Sequence, residues 1–238
     1  MNSTRNPGRF AGFLYVLASI PGAVSLIYIP NKLIVSGDAA ATAHNIVASE
    51  TLFRLGIACN VITQILFMWV AVALYDLFKG VNRRQAVLMV GLIAIPLPIV
   101  LMNEMNAIAA LFLVHGADFL SVFSAAQQNA LAMLFLHVHG ETFVIAEIFW
   151  GLWLFPLGLL VYRSGFVPRV LGVLLVAKCF YFLAISLVSL LVPQYESIVH
   201  RWTTPLHFGE LVFMFWLLII GARPRPSADR ALSAPVVG

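Results

Sequence analysis

HVHGETFVIAEIFWGLWLFPLGLLVYRSGFVPRVLG, residues His137 to Gly172, is the stretch whose reading decides the fold. It opens on His137, His139 and Glu141, runs through an aromatic and leucine-rich segment holding one further acid, Glu147, and closes in a basic turn from Arg163-Ser164-Gly165 to Arg169. About 20 apolar residues rising ~1.5 Å each cover the roughly 30 Å of bilayer hydrocarbon, so this is a membrane-spanning helix that leaves the bilayer at its charged turn.

Working outward, comparable apolar runs occur at 10–30, 53–78, 86–114, 142–162, 170–192 and 204–221. They predict an all-α, polytopic membrane bundle of six transmembrane helices occupying residues 1–222. Residues 223–238, rich in Pro, Ala and Ser, are expected to form a disordered cytoplasmic tail. Composition agrees: at 61% hydrophobic and 10% charged, the chain has too little polar surface for a soluble globule. The first run follows Arg5 and Arg9 and resembles a cleavable signal up to Ala23-Val24-Ser25, but its continuation to Ile29 makes it a span. Two connectors, 31–49 and 116–139, are amphipathic and should lie along the outer surface or extend the helix that follows. In the first, Ser36-Gly37-Asp38 reads as a turn and helix cap.

Positive charge orients the bundle, because Lys and Arg gather on cytoplasmic loops. With the N-terminus inside, the inner side carries Arg5, Arg9, Lys79, Arg83, Arg84, Arg163, Arg169, Arg223, Arg225 and Arg230, and the outer side only Lys32 and Arg201. Both termini are therefore expected in the cytoplasm. The pI of 9.3 reflects this topology. No basic patch interleaved with stacking aromatics suggests nucleic acid. Cys59 and Cys179 sit in apolar runs and read as small buried hydrophobes rather than a disulfide framework.

Ionisable groups inside a span cost about 2.5–3.5 kcal/mol each on insertion scales and normally face the bundle interior. Counted from the inner turns, Asn60, Glu147, His207 and Glu210 lie at about 20–24 Å, and Arg54, Glu104 and Glu141 at about 30–33 Å. Asn103, Asn106 and His139 fall near the second layer, whereas the inner half offers only Lys178 as an ionisable group. The asymmetry predicts a hydrated polar pocket in the outer half of the bilayer over a sealed apolar half. Glu147 and Glu210, with His207 beside them, are the candidate acid–base groups, since desolvation raises a carboxyl pKa. Candidate ligand-binding residues are Glu50, Arg54, Asn60, Asn103, Glu104, Glu141 and Trp150. Glu50 and Arg54, four apart, can also pair with each other. No cofactor is expected; a metal, if present, would use His139, His207 and Glu210. Interhelical clamping without chemistry accounts for the same residues.

Two further patterns bear on mechanism. ALYDLFKGVNRRQAVLMVGLI, after the second run, resembles LLVYRSGFVPRVLGVLLVAKC, after the fourth, with Tyr75 aligned to Tyr162. Two such hairpins of the same orientation would form a parallel repeat of the kind some transporters use. No P-loop, dinucleotide fingerprint or nucleophile elbow is present.

The set Gly37-Asp38-Ala39-Ala40, Thr42, Asn45-Ile46, Ser49-Glu50, Phe53-Arg54, Leu74-Tyr75, Phe149-Trp150-Gly151, Arg163-Ser164-Gly165, Pro168 and Leu171-Gly172 resembles the bacterial membrane family known as domain of unknown function 4386. The resemblance spans most of the chain. It implies a protein of the bacterial cytoplasmic membrane and supplies no reaction. His137 and His139 are not part of that pattern, so metal chemistry would not be the family's shared function. Three expectations stand: a site that binds or processes a lipid- or isoprenoid-like amphiphile, a proton-coupled transporter, and a structural or sensory subunit. Membrane lipids and a small amphiphilic ligand are the expected partners.

Overall fold

The computed structural model describes residues 6–223, apart from the side chains of residues 200, 202–205 and 207. Among the described residues there are helices and no strands: α1 (Pro7–Leu33), α2 (Ala39–Ala48), α3 (Glu50–Phe78), α4 (Arg83–His115), α5 (Ala125–Ser164), α6 (Arg169–Leu191), α7 (Glu196–His207) and α8 (Gly209–Ile219). Side chains at the entry points start these helices. Asn6 accepts from Gly8 N at 3.0 Å, Asp38 from Ala41 N at 2.8 Å and Asn82 from Gln85 N at 3.1 Å, each satisfying an amide that the first helical turn leaves without a partner. Ser124 and Gln127 close a reciprocal capping box at the start of α5.

Five helices, α1, α3, α4, α5 and α6, are long and apolar enough to cross a membrane. The last apolar run is shorter than its sequence suggests, because the chain turns at Phe208 and leaves α8 with 11 residues, about 16 Å of helix. Prolines set the other irregularities. Pro156 has no N–H for the Leu152 carbonyl, and α5 is interrupted one residue later at Trp153. In α1, Pro30 likewise offers Leu26 no donor, and the turn Val24–Tyr28 widens to π geometry, with Ile29 N bonded back to Val24 O. The connector 116–139 lies mostly in helix: α5 starts at Ala125, so only residues 116–124 form the link.

The membrane helices close into a ring in which α1 packs on α3, α3 on α4, α4 on α5, α5 on α6, α6 on α8 and α8 on α1. Its interior holds two separate apolar cores. One, including Ala11, Tyr15, Leu74, Phe78, Met89, Trp153, Leu157, Leu175, Phe213 and Leu217, lies toward the chain termini. The other, including Ile29, Leu33, Ile46, Phe53, Ala107, Leu111, Ala132 and Leu136, lies at the opposite end under α2. Buried Asn60, Thr63, Gln64, Asn103 and Glu104 fall between them in sequence and in space.

The ends of α1 and α8 are tied by Gly8 N donating to Ala222 O at 3.0 Å and Arg9 Nη2 donating to Ile219 O at 2.9 Å. The two hairpin turns meet through stacked Phe78 and Phe166, ring centroids 5.7 Å apart. Arg9, Lys79, Arg83, Arg84, Arg163, Arg169 and Arg223 thus mark one basic end. There Lys79 donates to Asp76 at 2.6 Å, and that hydrogen bond holds its ammonium pKa above the ordinary value. Beyond Arg223, the tail expected at 223–238 lies outside the described residues.

Candidate functional site

Between the two cores, three helices contribute one polar constellation. Asn60 and Gln64 stand one turn apart on α3, Asn103 and Glu104 are neighbours on α4, and His139 comes from the extended first half of α5. Asn60 Nδ2 donates to Glu104 Oε1, and Gln64 Nε2 donates to Asn60 Oδ1 at 3.4 Å. His139 Nε2 lies 3.3 Å from the same Glu104 oxygen. Asn103 Nδ2 donates to the His139 carbonyl at 2.8 Å, and Asn106 Nδ2 to Asn103 Oδ1 at 2.9 Å, so the histidine is held through its backbone as well as its ring. The imidazole also packs edge-on against Phe143, 5.0 Å between centroids, which in turn lies 6.1 Å from Trp150. A carboxylate only 4% exposed needs this density of donors, because burial without them is prohibitive.

Asn60, Glu104 and His139 of this constellation form the polar wall of a cavity of about 50 Å³. The remaining lining is Ser25, Leu26, Ile29, Pro30, Leu33 and Ile34 from α1 and its exit, Phe53, Gly56 and Ile57 from α3, and Leu136 from α5. Gly56 keeps it open, since a Cβ there would approach Ile29 Cδ1 to 3.1 Å. The volume suits a few waters or a small head group, and is too small for a whole drug-sized ligand or an acyl chain. Exposed Leu26 and Ile34 form part of its wall.

A second buried cluster joins α1, α6 and α8. Lys178 Nζ donates to Glu210 Oε2 and Tyr15 Oη to Glu210 Oε1. The lysine also sits 5.1 Å from the Phe182 ring centroid, and Tyr15 packs edge-on against Phe67 at 5.5 Å. The arrangement satisfies both carboxylate oxygens and neutralises the ammonium that the sequence left without a partner.

The remaining expected residues lie elsewhere. Glu147 is half-buried on α5 and accepts from Ser186 Oγ of α6 at 3.5 Å. Arg54 is exposed and donates to Glu50 at 2.6 Å, while Glu50 also faces His115 Nε2 at 3.2 Å. Glu141 is exposed and Trp150 half-buried. The side chain of His207 lies outside the described residues. Of the sequence-derived candidates, the structure brings Asn60, Asn103, Glu104 and His139 together, and it separates them from Glu147, Glu210 and Arg54. Among the described residues, no group of three or more His, Cys, Asp or Glu is arranged to hold a metal ion.

Sequence reasoning passed over Tyr15, Gln64 and Ser25. A tyrosine inside an apolar run carries no signal of its own, although Gln64, one turn from Asn60, repeats a polar face on α3 and could have been read. Lys178 was visible as an intramembrane charge, but its partner was not, because counting depth along single helices does not say which helices pack together.

A family model described as domain of unknown function (DUF4386) matches residues 10–221, and the chain belongs to that family. Over 79 residues it is 35% identical to an uncharacterized protein of Archaeoglobus fulgidus, a match that covers 33% of this chain and 46% of that protein. The chain thus aligns to less than half the length of this relative. No solved structure matches it.

Proposed function

We propose that this DUF4386 member is a six-span protein of the bacterial cytoplasmic membrane, both termini in the cytoplasm, whose cavity takes the polar head of a small amphiphile in the outer half of the bilayer. The observation that carries the reading is the pairing of a polar wall (the buried Glu104 carboxylate and Asn60 amide, with the half-buried His139 imidazole) with a mostly apolar lining in one small cavity. Such a mixture matches the usual composition of ligand sites, mostly apolar with a few convergent polar groups. The ligand's tail stays in lipid against Leu26 and Ile34. The excess of positive residues at one end supports the orientation.

In this reading acid–base work passes from Glu147, Glu210 and His207 to His139 and Glu104, which lie 3.3 Å apart at the cavity and can exchange a proton with a bound head group. Glu210, held by Lys178 and Tyr15, is a clamp for α8 instead. Native mass spectrometry of the protein released from a mild neutral detergent tests the site. A bound amphiphile should be retained by the wild type and lost in Gly56→Leu, which fills the cavity. Equal retention in both proteins overturns the reading.

One observation favours a transporter as the second reading. The aligned Tyr75 and Tyr162 each carry a cation over the ring, Lys79 Nζ and Arg169 Cζ, both 5.6 Å from the centroid. Two like hairpins moving against each other would couple proton uptake to amphiphile movement, and pH-dependent uptake into proteoliposomes would distinguish this from binding alone.

A further inference from the structure

The charges around the cavity say what kind of head group it accepts, an inference that rests on the amphiphile reading above. We propose that the site selects a cationic head group, a protonated amine on an alkyl chain, over anionic and neutral ones. Glu104 is the only acid in the lining, and no lysine or arginine lines the cavity. Its partners are a neutral amide and an imidazole. The intramembrane cations are committed elsewhere, Lys178 to Glu210 and Arg54, 61% exposed, to Glu50. An anionic head group would therefore meet a buried carboxylate whose one candidate counter-cation is the His139 imidazole already beside it, whereas an ammonium brings a full positive charge to that carboxylate. Buried Phe53 adds to the lining an aromatic ring, the kind of surface that attracts cations. Arg54, a candidate ligand-binding residue by sequence, does not line the cavity.

The test uses full-length protein in dodecyl maltoside and three probes of equal chain length: dodecylammonium, dodecanol and dodecanoate. Wild-type protein should bind dodecylammonium about 10-fold or more tightly than either of the others, a factor of ten being about 1.4 kcal/mol. In Glu104→Gln that preference should fall to near unity. Dodecanoate or dodecanol binding as well as dodecylammonium in the wild type overturns the charge assignment but leaves the cavity reading standing. Absence of binding by all three, or binding that Gly56→Leu leaves intact, overturns both. The wild-type comparison alone decides the assignment if Glu104→Gln expresses poorly.

Discussion

Lys178 is the residue on which the bundle's closure depends most. Its ammonium and the Glu210 carboxylate, with side chains 6% and 15% exposed, neutralise each other between α6 and α8. Removing one partner of such a pair leaves an uncompensated buried charge and costs about 3–5 kcal/mol, more than either side chain's packing. Lys178→Met alone should therefore lower the thermal stability of the detergent-solubilised protein sharply, and Lys178→Met combined with Glu210→Leu should restore most of it. Thermal unfolding followed by size-exclusion chromatography reads both. Tyr15→Phe removes one hydrogen bond to a charged acceptor and should cost about 1.5–3 kcal/mol. Arg54→Gln, by contrast, breaks only an exposed pair, screened by solvent, and should leave the melting temperature unchanged. At this scale the sequence was informative about which polar residues would be buried and less so about their partners. Depth counting put Asn60 and Glu104 in different layers, yet they share a hydrogen bond, and the side of the helix on which Arg54 and Glu141 emerge depends on helix rotation, which depth counting does not contain.

Between elements, backbone contact decides the packing, because lipid tails are as apolar as leucine and give helices no hydrophobic reason to associate. The arms of α5 and α6 at the basic end touch at Gly158 and Gly172: a Cβ on Gly172 would stand 2.6 Å from the Gly158 carbonyl oxygen. Gly172→Leu should force the arms apart at about 1–3 kcal/mol and lower the yield of monodisperse protein. Gly140 on the same α5 has open space where a Cβ would sit, so Gly140→Ala should be neutral or slightly stabilising. Comparing the two in one stability assay separates packing from propensity. Five of the six apolar runs form helices long and apolar enough to cross a membrane, and the cap at Asp38 was legible in the sequence. For SAAQQNALAMLFLHVH the sequence left two alternatives, a surface connector or an extension of the next helix, and the capping box at Ser124 and Gln127 launches the extension. Hydropathy does not place the break at Phe208, although Pro205 and Gly209 flank it.

At the scale of the molecule, two apolar cores sandwich one polar layer, and the basic end gathers both hairpin turns with the ends of α1 and α8. In the proposed topology, with that basic end cytoplasmic, the cavity faces outward. Reporter fusions after residue 238 and within 116–124 should report cytoplasm and periplasm respectively, and the reverse pattern would place the cavity in the inner leaflet. The sequence led to the expectation of an outer polar layer over hydrocarbon; the structure has the constellation at Glu104 between two apolar cores. The clamp at Lys178 lies among side chains expected to be purely apolar, because a single lysine does not reveal that a distant acid and tyrosine fold onto it.

The most direct measurement is an experimental density map of the wild-type protein in lipid nanodiscs, inspected in the cavity between Ile29, Asn60, Glu104 and His139. The account predicts non-protein density with its head within hydrogen-bond distance of the Glu104 carboxylate and a tail running out past Leu26 and Ile34. A cavity closed by side chains, with Glu104 paired to a lysine or arginine, would contradict it.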